Sequence, residues 1–518
     1  MTTTPKWLND AVFYNIYPQS FMDSNGDGIG DLQGIIDKLD YIKETGFTAI
    51  WLNPIYVSPF RDAGYDIADF YKVAPRYGTN EDFKRLCDEA HKRGIRVVMD
   101  LVAGHTALEC EWFKKSALPE RNEYSDRYVW TDSVWKKGEE GSFISGYSDR
   151  DGCYMNNFFY CQPALNYGYK NVTESWQMSM DSPAAIDTRN ELLNIMYFWS
   201  ELGSDGFRVD MASSLVKADP DKSGVIELWN IIKKEFTAKY PENVLIAEWS
   251  FPKEAIAAGF DIDFLIHFNL KAYSTLFRHE KGTNQSEAWI GHSYFRKDGK
   301  GDIDLFLDEY LDHYNATKGK GFISIPTGNH DIHRIALLRD TDDLFVTHAF
   351  LLTMPGVPFV YYGDEIGMQY IEGLSSKEGG FNRTGSRTPM QWESGKNLGF
   401  STSDTPYLPV DPSTDAPTVA AQLKDDNSLL NHTKKLIRIR KENPALWADG
   451  EFEVIYKNYP FVYKRTGGGQ TVIVAVNPAN KGAEIPVPAC SKVIYAKGAS
   501  VDGTTLKMDG VSFIIYES

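Results

Sequence analysis

Short runs of β-branched and aromatic residues recur along the chain at 12–17, 48–52, 97–101, 207–210, 244–247, 262–265, 322–325 and 359–362. Most are apolar with little polar alternation, which suits strands buried on both faces of a parallel sheet. Between several of them apolar positions return at helical spacing, as at 32–44 and 81–93. Thr79 and Asn80 are capping candidates ahead of the second of these, and Gly94 closes it. Eight strand units alternating with helices predict an α/β fold, a (β/α)8 TIM barrel.

The alternation breaks twice. Between the third strand and a helix expected around 187–202 lies a long irregular stretch rich in Gly, Asn, Tyr and Trp, too long for an ordinary loop. It reads as a subdomain inserted after strand 3, at 104–176. Beyond Pro444 the helical period vanishes, and strand-like runs at 451–456, 461–464, 471–476 and 511–516 are separated by Gly, Asn and Asp turns. The expected organisation is a barrel in two parts, 1–103 and 177–444, the insertion at 104–176, and a C-terminal antiparallel β domain at 445–518. A chain of 518 residues is too long for one core and fits this division.

Three of the apolar runs carry a carboxylate at or just past their ends: Asp210 after Gly206-Phe207-Arg208-Val209, Glu248 after Val244-Leu245-Ile246-Ala247, and Asp331 in Asn329-His330-Asp331. In a barrel the residues just past the strands converge on one face, so acids far apart in sequence meet in one pocket. Cleaving a glycosidic bond through an oxocarbenium-like transition state needs one carboxylate as nucleophile or base and one carboxyl as proton donor. Arg208 lies two residues before Asp210, on the same face of its strand, and is expected to lower the pKa of Asp210. Glu248, next to Trp249, is expected to hold a proton near neutral pH.

Charge narrows the ligand class. With 54 Lys and Arg against 71 Asp and Glu the net charge is -17, which argues against nucleic acid or any other polyanion. Aromatic residues make up 14% of the chain, a surplus that sugar stacking would use. No uninterrupted apolar stretch suggests a membrane span, and no basic segment leads into an apolar one at the N-terminus, so the chain as it stands reads as cytoplasmic. Cys87, Cys110, Cys153, Cys161 and Cys490 are odd in number, widely spaced and without a Cys-x-x-Cys pair, so free thiols are expected.

Four motifs in order now carry a family resemblance: Asp100-Leu101-Val102-Ala103-Gly104-His105, Gly206 to Asp210, Glu248 with its strand, and Asn329-His330-Asp331. Over nearly its full length the chain resembles the α-amylase superfamily of retaining glycoside hydrolases. The resemblance implies that Asp210 is the nucleophile, Glu248 the general acid/base and Asp331 the third acid, with Tyr65, Asp100, His105, Arg208 and His330 around the sugar under attack. Gly64-Tyr65-Asp66-Ile67 and Arg387-Thr388-Pro389-Met390-Gln391-Trp392 look like signatures of its α-glucosidase and oligo-1,6-glucosidase branch. There an Asp and an Arg, here Asp66 and Arg387, are expected to pair at the pocket floor, grip the non-reducing end and make the enzyme exo-acting on short gluco-oligosaccharides.

Other positions depart from the pattern. Gln162-Pro163-Ala164-Leu165-Asn166 has Ala164 where the branch motif has Asp, and Met211-Ala212-Ser213-Ser214 follows the nucleophile without the Lys-His pair of many endo-amylases. Linkage preference, α-1,4 or α-1,6, is left open. So are the alternatives of a transglycosylase, sucrose isomerase or phosphorylase, which share the covalent intermediate, and of an endo-acting α-amylase. Relatives that serve as transporter subunits are expected to lack the acids and to carry a membrane helix, and this chain reads the opposite way.

One loop has metal-binding character. Asp23, Asn25, Asp27 and Asp31 present side-chain oxygens, Ile29 offers its carbonyl, and glycines let the backbone wrap an ion. Position twelve of an EF-hand would be Gly34, so that motif is incomplete. Within the resembling branch the loop holds Ca2+ as a structural ion.

Overall fold

The computed structural model describes residues 4–281, 291–380 and 382–518. Eight parallel strands form the central sheet: β1 (Phe13–Ile16), β2 (Ala49–Leu52), β3 (Arg96–Val102), β4 (Gly206–Asp210), β5 (Val244–Ala247), β6 (Ile262–Phe264), β7 (Phe322–Ser324) and β8 (Phe359–Tyr361). Their order is β7-β6-β5-β4-β3-β2-β1-β8. The barrel closes where Thr327, just past β7, donates its N–H to Phe359 O at 3.0 Å and accepts from Tyr361 N through its hydroxyl, also at 3.0 Å. The (β/α)8 barrel expected from the apolar runs is the one observed.

Local sequence explains the helices around it. The helix Asn80–Lys92 begins at a capping box, with Thr79 Oγ1 accepting from Asp82 N and the Asp82 carboxylate accepting from Thr79 N. The helix expected at 32–44 is instead two, Leu32–Asp37 and Leu39–Thr45. Lys38 leaves the helical region between them (φ -106°, ψ 4°), and its ammonium rests 4.3 Å from the Trp392 ring centroid.

Past β3 the chain leaves the barrel for the insertion. A hairpin of Ser142–Ser145 and Cys153–Asn156 forms part of it, and a bridge between His105 and Ala164 ties the insertion to the end of β3. The chain returns through the long helix Pro183–Glu201. At the C-terminus six antiparallel strands make one sheet: β9 (Glu451–Lys457), β10 (Phe461–Gly467), β11 (Gln470–Asn477), β12 (Ala483–Pro486), β13 (Lys492–Asp502) and β14 (Thr505–Glu517). Among the described residues no helix is long and apolar enough to cross a membrane, and all five cysteines are free thiols.

Candidate active site

Strand register builds the first half of the site. Side chains two apart on a strand share a face, so Arg208 and Asp210 both point into the barrel. The β3–β4 register sets Asp100 beside Arg208. Arg208 is buried and forks among carboxylates, with Nη1 2.8 Å from Asp100 Oδ1 and 3.2 Å from Asp210 Oδ1, and Nη2 2.9 Å from Glu248 Oε1. Asp100 is held by Trp51 Nε1 at 3.0 Å and by the Tyr65 hydroxyl at 2.9 Å.

The backbone turns sharply after each acid. Met211, directly after Asp210, sits in the left-handed region (φ 45°, ψ 42°), and its N–H donates to Glu248 Oε2 at 2.9 Å. Beyond Glu248 the amides of Trp249, Ser250 and Phe251 all donate to the buried carboxylate of Asp263 on β6, at 3.1, 3.2 and 2.9 Å. Asp263 thereby fixes the turn that aims Glu248, a role the sequence pattern did not reveal because the residue sits inside an apolar strand.

Asp331 follows β7 and is surrounded by donors. Its Oδ1 lies 2.7 Å from Arg383 Nη1 and 3.1 Å from Arg387 Nη2, and its Oδ2 is 3.1 Å from His330 Nε2. Burial alone would raise its pKa, but His330, Arg383 and Arg387 outweigh it and hold the carboxyl well below the usual range. His330 stacks on Tyr65, ring centroids 5.1 Å apart, and its Nδ1 meets Asn53 Nδ2 at 3.0 Å.

At Asp210 the balance runs the other way. Burial first, then the charge of the adjacent Glu248, push its pKa well above the ordinary carboxylate value, and Arg208 opposes them without prevailing. The expectation that Arg208 lowers this pKa holds for its own contribution and fails for the sum. Asp210 therefore sits in a cavity that favours its neutral form until charge develops on a bound sugar. Two carboxyls this close can divide the work of nucleophile and proton donor that glycosidic cleavage requires.

The expected floor pair does not form. Asp66 is fully buried and turned toward the backbone, accepting from Ser58 Oγ at 2.9 Å, Arg61 N at 2.9 Å and Asp62 N at 3.1 Å, and burial pushes its pKa up to about 6. Arg387 donates to His330 O at 2.9 Å and to Asp331. The ion pair beside the acids is Asp62 with Arg383, at 2.7 Å, and Gln162 Nε2 donates to the other Asp62 oxygen at 2.8 Å. The physical reason is the turn at 60–64, where Phe60, Ala63 and Gly64 all have positive φ: it sends Asp62 to the pocket and folds Asp66 beneath it as the turn's acceptor.

Tyr65, His105, Asp210, Glu248, His330 and Asp331 line one cavity of about 250 Å3 with Asp62, Arg383, Phe158 and Phe268. Asp100 and Arg208 stand behind it. A larger cleft, about 690 Å3, lies at the opposite end of the barrel near Gly321, Gly356 and Gly450. The smaller cavity is the candidate site, because it holds the clustered carboxylates at the C-terminal strand ends. There Asp62, Asp100, Asp210, Glu248 and Asp331 outnumber Arg208, Arg383 and Arg387, an excess that favours positive charge developing on a sugar ring.

Residues 15–449 match the alpha amylase catalytic domain. The chain belongs to the alpha-amylase family. It is similar to the oligo-1,6-glucosidase of Parageobacillus thermoglucosidasius, 33% identical over 561 residues that cover 94% of this chain and 93% of the relative. It is also similar to the trehalose synthase/amylase of Mycolicibacterium smegmatis, 33% identical over 542 residues, 94% of this chain and 86% of that protein. Among solved structures, the trehalulose synthase of Pseudomonas mesoacidophila MX-45 superposes with a TM-score of 0.82 at 26% identity, covering 99% of both chains. This alpha-amylase family member is an enzyme of the glycoside hydrolase type.

The loop at 23–31 lies outside this cavity. Asp23 Oδ1 accepts from Asn25 N (3.1 Å) and Gly26 N (2.7 Å), and its Oδ2 from Gly28 N (2.8 Å). Asn25 Oδ1 accepts from Asp27 N, Asp27 Oδ1 from Ile29 N, and Asp31 caps the following helix through Gly34 N. Gly26 and Gly28 supply the positive φ that the wrap requires. Among the described residues no three His, Cys, Asp or Glu side chains gather as a metal site. A cation here would draw also on the Asn25 amide and the Ile29 carbonyl, and the acceptor oxygens retain second lone pairs for it. An all-oxygen set of this kind fits a hard cation such as Ca2+.

Proposed function

We propose that the protein is a retaining, exo-acting α-glucosidase of short α-gluco-oligosaccharides, of maltooligosaccharide or isomaltooligosaccharide type. The observation that carries the exo assignment is the Asp62–Arg383 pair, bound through Arg383 to Asp331, in the wall of a small cavity. A buried ion pair fixed at both ends cannot move aside for a polymer, so a chain enters by its terminus. Asp210 attacks the anomeric carbon to give a covalent β-glycosyl-enzyme, Glu248 protonates the departing oxygen, and water activated by Glu248 releases the α-anomer. Asp331, ionised by its cationic neighbours, binds hydroxyls and balances the charge of the transition state. End-blocked maltoheptaoside is expected to resist cleavage while maltotriose or isomaltose is consumed. Rapid loss of starch viscosity, or cutting of the blocked substrate, would instead mean an open cleft and an endo-acting α-amylase.

A second reading follows from the relatives, whose names include a trehalose synthase and a trehalulose synthase. The same intermediate passed to a sugar instead of water gives transglycosylation or isomerisation. Product analysis on maltotriose, isomaltose, sucrose and trehalose separates the two: free glucose in step with substrate loss supports hydrolysis, and a rearranged disaccharide supports transfer.

The loop formed by Asp23, Asn25, Asp27, Ile29 and Asp31 we assign to structural Ca2+, on the strength of its oxygen donors. Ca2+ would neutralise carboxylates there, while the chain itself supplies the folded turn. Chelation is then expected to lower the melting temperature and added Ca2+ to restore it, since an ion bound only by the native state stabilises it by mass action. An unchanged melting temperature, with no metal by elemental analysis, would leave a plain hydrogen-bonded turn.

A further inference from the structure

Asn157, from the insertion, touches four groups around the cavity wall. Its Oδ1 accepts from Lys217 Nζ at 3.1 Å, and its Nδ2 meets His105 Nδ1 at 3.1 Å, Ser214 Oγ at 3.3 Å and Met211 Sδ at 3.9 Å. The fit is tight from behind. A Cβ on Gly104 would lie 2.6 Å from Asn157 Nδ2, so any larger residue there would displace the amide. Lys217 also donates to Ser214 O at 2.6 Å, and among the described residues no carboxylate forms an ion pair with it. Burial lowers its pKa to about 8. A half-buried cation held by oxygen acceptors and no counter-ion is costly, and such groups gather where they serve a site.

Donor and acceptor chemistry leaves one arrangement. An ammonium only donates, so Asn157 must turn its oxygen to Lys217 and its NH2 toward His105. An amide NH2 only donates, so His105 Nδ1 is the bare nitrogen. A backbone carbonyl only accepts, so Nε2 carries the hydrogen and gives it to Tyr65 O at 3.0 Å. Burial agrees with a neutral ring, since it lowers the His105 pKa to about 4.

From these contacts we propose that Lys217 and Asn157 are positioning residues that lock His105 as the Nε2–H tautomer in the cavity wall. The lock matters because the opposite tautomer would set a lone pair against the Tyr65 carbonyl. Tyr65 in turn holds Asp100, and Asp100 holds Arg208 between the two central acids. Only the effect on turnover rests on the sugar-cleaving reading of the cavity. The tautomer can be read without substrate.

The test is NMR of the full chain labelled with 15N histidine, with His105 assigned by the signals lost in His105→Gln. The wild type is expected to show a neutral ring protonated on Nε2 at pH 7. Lys217→Met frees the Asn157 amide to turn its oxygen toward Nδ1, so it should weaken the Nε2–H preference to the share the Tyr65 carbonyl sets alone and lower kcat/KM by about ten- to a hundredfold, the scale of leaving a polar group unpaired. Lys217→Arg, which still only donates, should restore both. Asn157→Asp places a carboxylate against Nδ1, which then needs a hydrogen too, so His105 should become an imidazolium at neutral pH. An Nδ1–H or charged ring in the wild type overturns the proposal, as does an unchanged neutral Nε2–H ring in Asn157→Asp. Should Lys217→Met fail to fold, Asn157→Asp decides alone. Failure of the tautomer arm with retained α-glucosidase activity removes the lock and leaves the function; the reverse pattern does the opposite.

Discussion

Asp210→Asn is expected to lower kcat/KM on α-gluco-oligosaccharides by more than about a thousandfold while the protein stays folded. The amide is nearly isosteric, so Arg208 and Met211 keep their places, but it cannot form the acylal-type bond on which covalent catalysis depends. Removing a charge from a buried cluster where Asp210 and Glu248 repel each other should also leave the melting temperature equal or higher. Steady-state kinetics and thermal unfolding on the same preparation read both effects. A variant that keeps even a tenth of the activity removes Asp210 from the role of nucleophile.

Arg383→Ala carries the second large effect, for a different reason. The change deletes one guanidinium that serves two buried carboxylates, Asp62 at 2.7 Å and Asp331 at 2.7 Å. Asp331 retains Arg387 and His330, whereas among the described residues Asp62 retains only the Gln162 hydrogen bond. Breaking a buried pair by removing one partner costs about 3–5 kcal/mol of stability, and because the pair lines the cavity kcat/KM should also fall by about a hundred- to a thousandfold. The loss should fall mainly on KM, because the pair is placed to hold substrate and not to touch the reacting bond. Arg387→Ala, the substitution that the sequence alone would have chosen, should act differently. It loosens Asp331 and the His330 carbonyl and leaves the Asp62–Arg383 pair standing. Equal KM effects from the two variants would contradict the substrate-holding role given to the Asp62–Arg383 pair.

Those two arginines show where the sequence is legible and where it is not. Arg208, Asp210 and Asp100 lie on strands, where side chains alternate strictly and neighbouring strands stand in fixed register. Position in sequence therefore gives position in space, and all three meet as expected. Asp62 and Asp66 lie in a turn with three positive-φ residues, where no period applies. The motif Gly64-Tyr65-Asp66 marked the right segment, and only the folded turn tells which of its carboxylates faces the cavity. Arg383, four residues before Arg387, was hidden by the same lack of regularity. Asn157 and Lys217 carried no sequence signal, because their partners come from the insertion and from the segment after β4.

The elements follow the same logic. Buried strands announced themselves as apolar runs, including the three-residue β6 and β8. In the C-terminal sheet, β13 at Lys492–Asp502 escaped notice because all of its residues are exposed or half-buried, so hydrophobic pattern never marks it. It is held by pairing with β14, which is an interaction of backbones. The break at Lys38 was likewise invisible, since the apolar positions on either side keep their helical spacing through it.

The central claim is retention by an exo-acting enzyme with Asp210 as nucleophile and Glu248 as acid/base. Its most direct test is a proton NMR time course of maltotriose hydrolysis, begun before mutarotation mixes the anomers. Glucose released first as the α-anomer, with maltose appearing in equal amount, is the result this account expects. Glucose appearing first as the β-anomer would mean inversion at the anomeric carbon, and would contradict the roles given to Asp210 and Glu248.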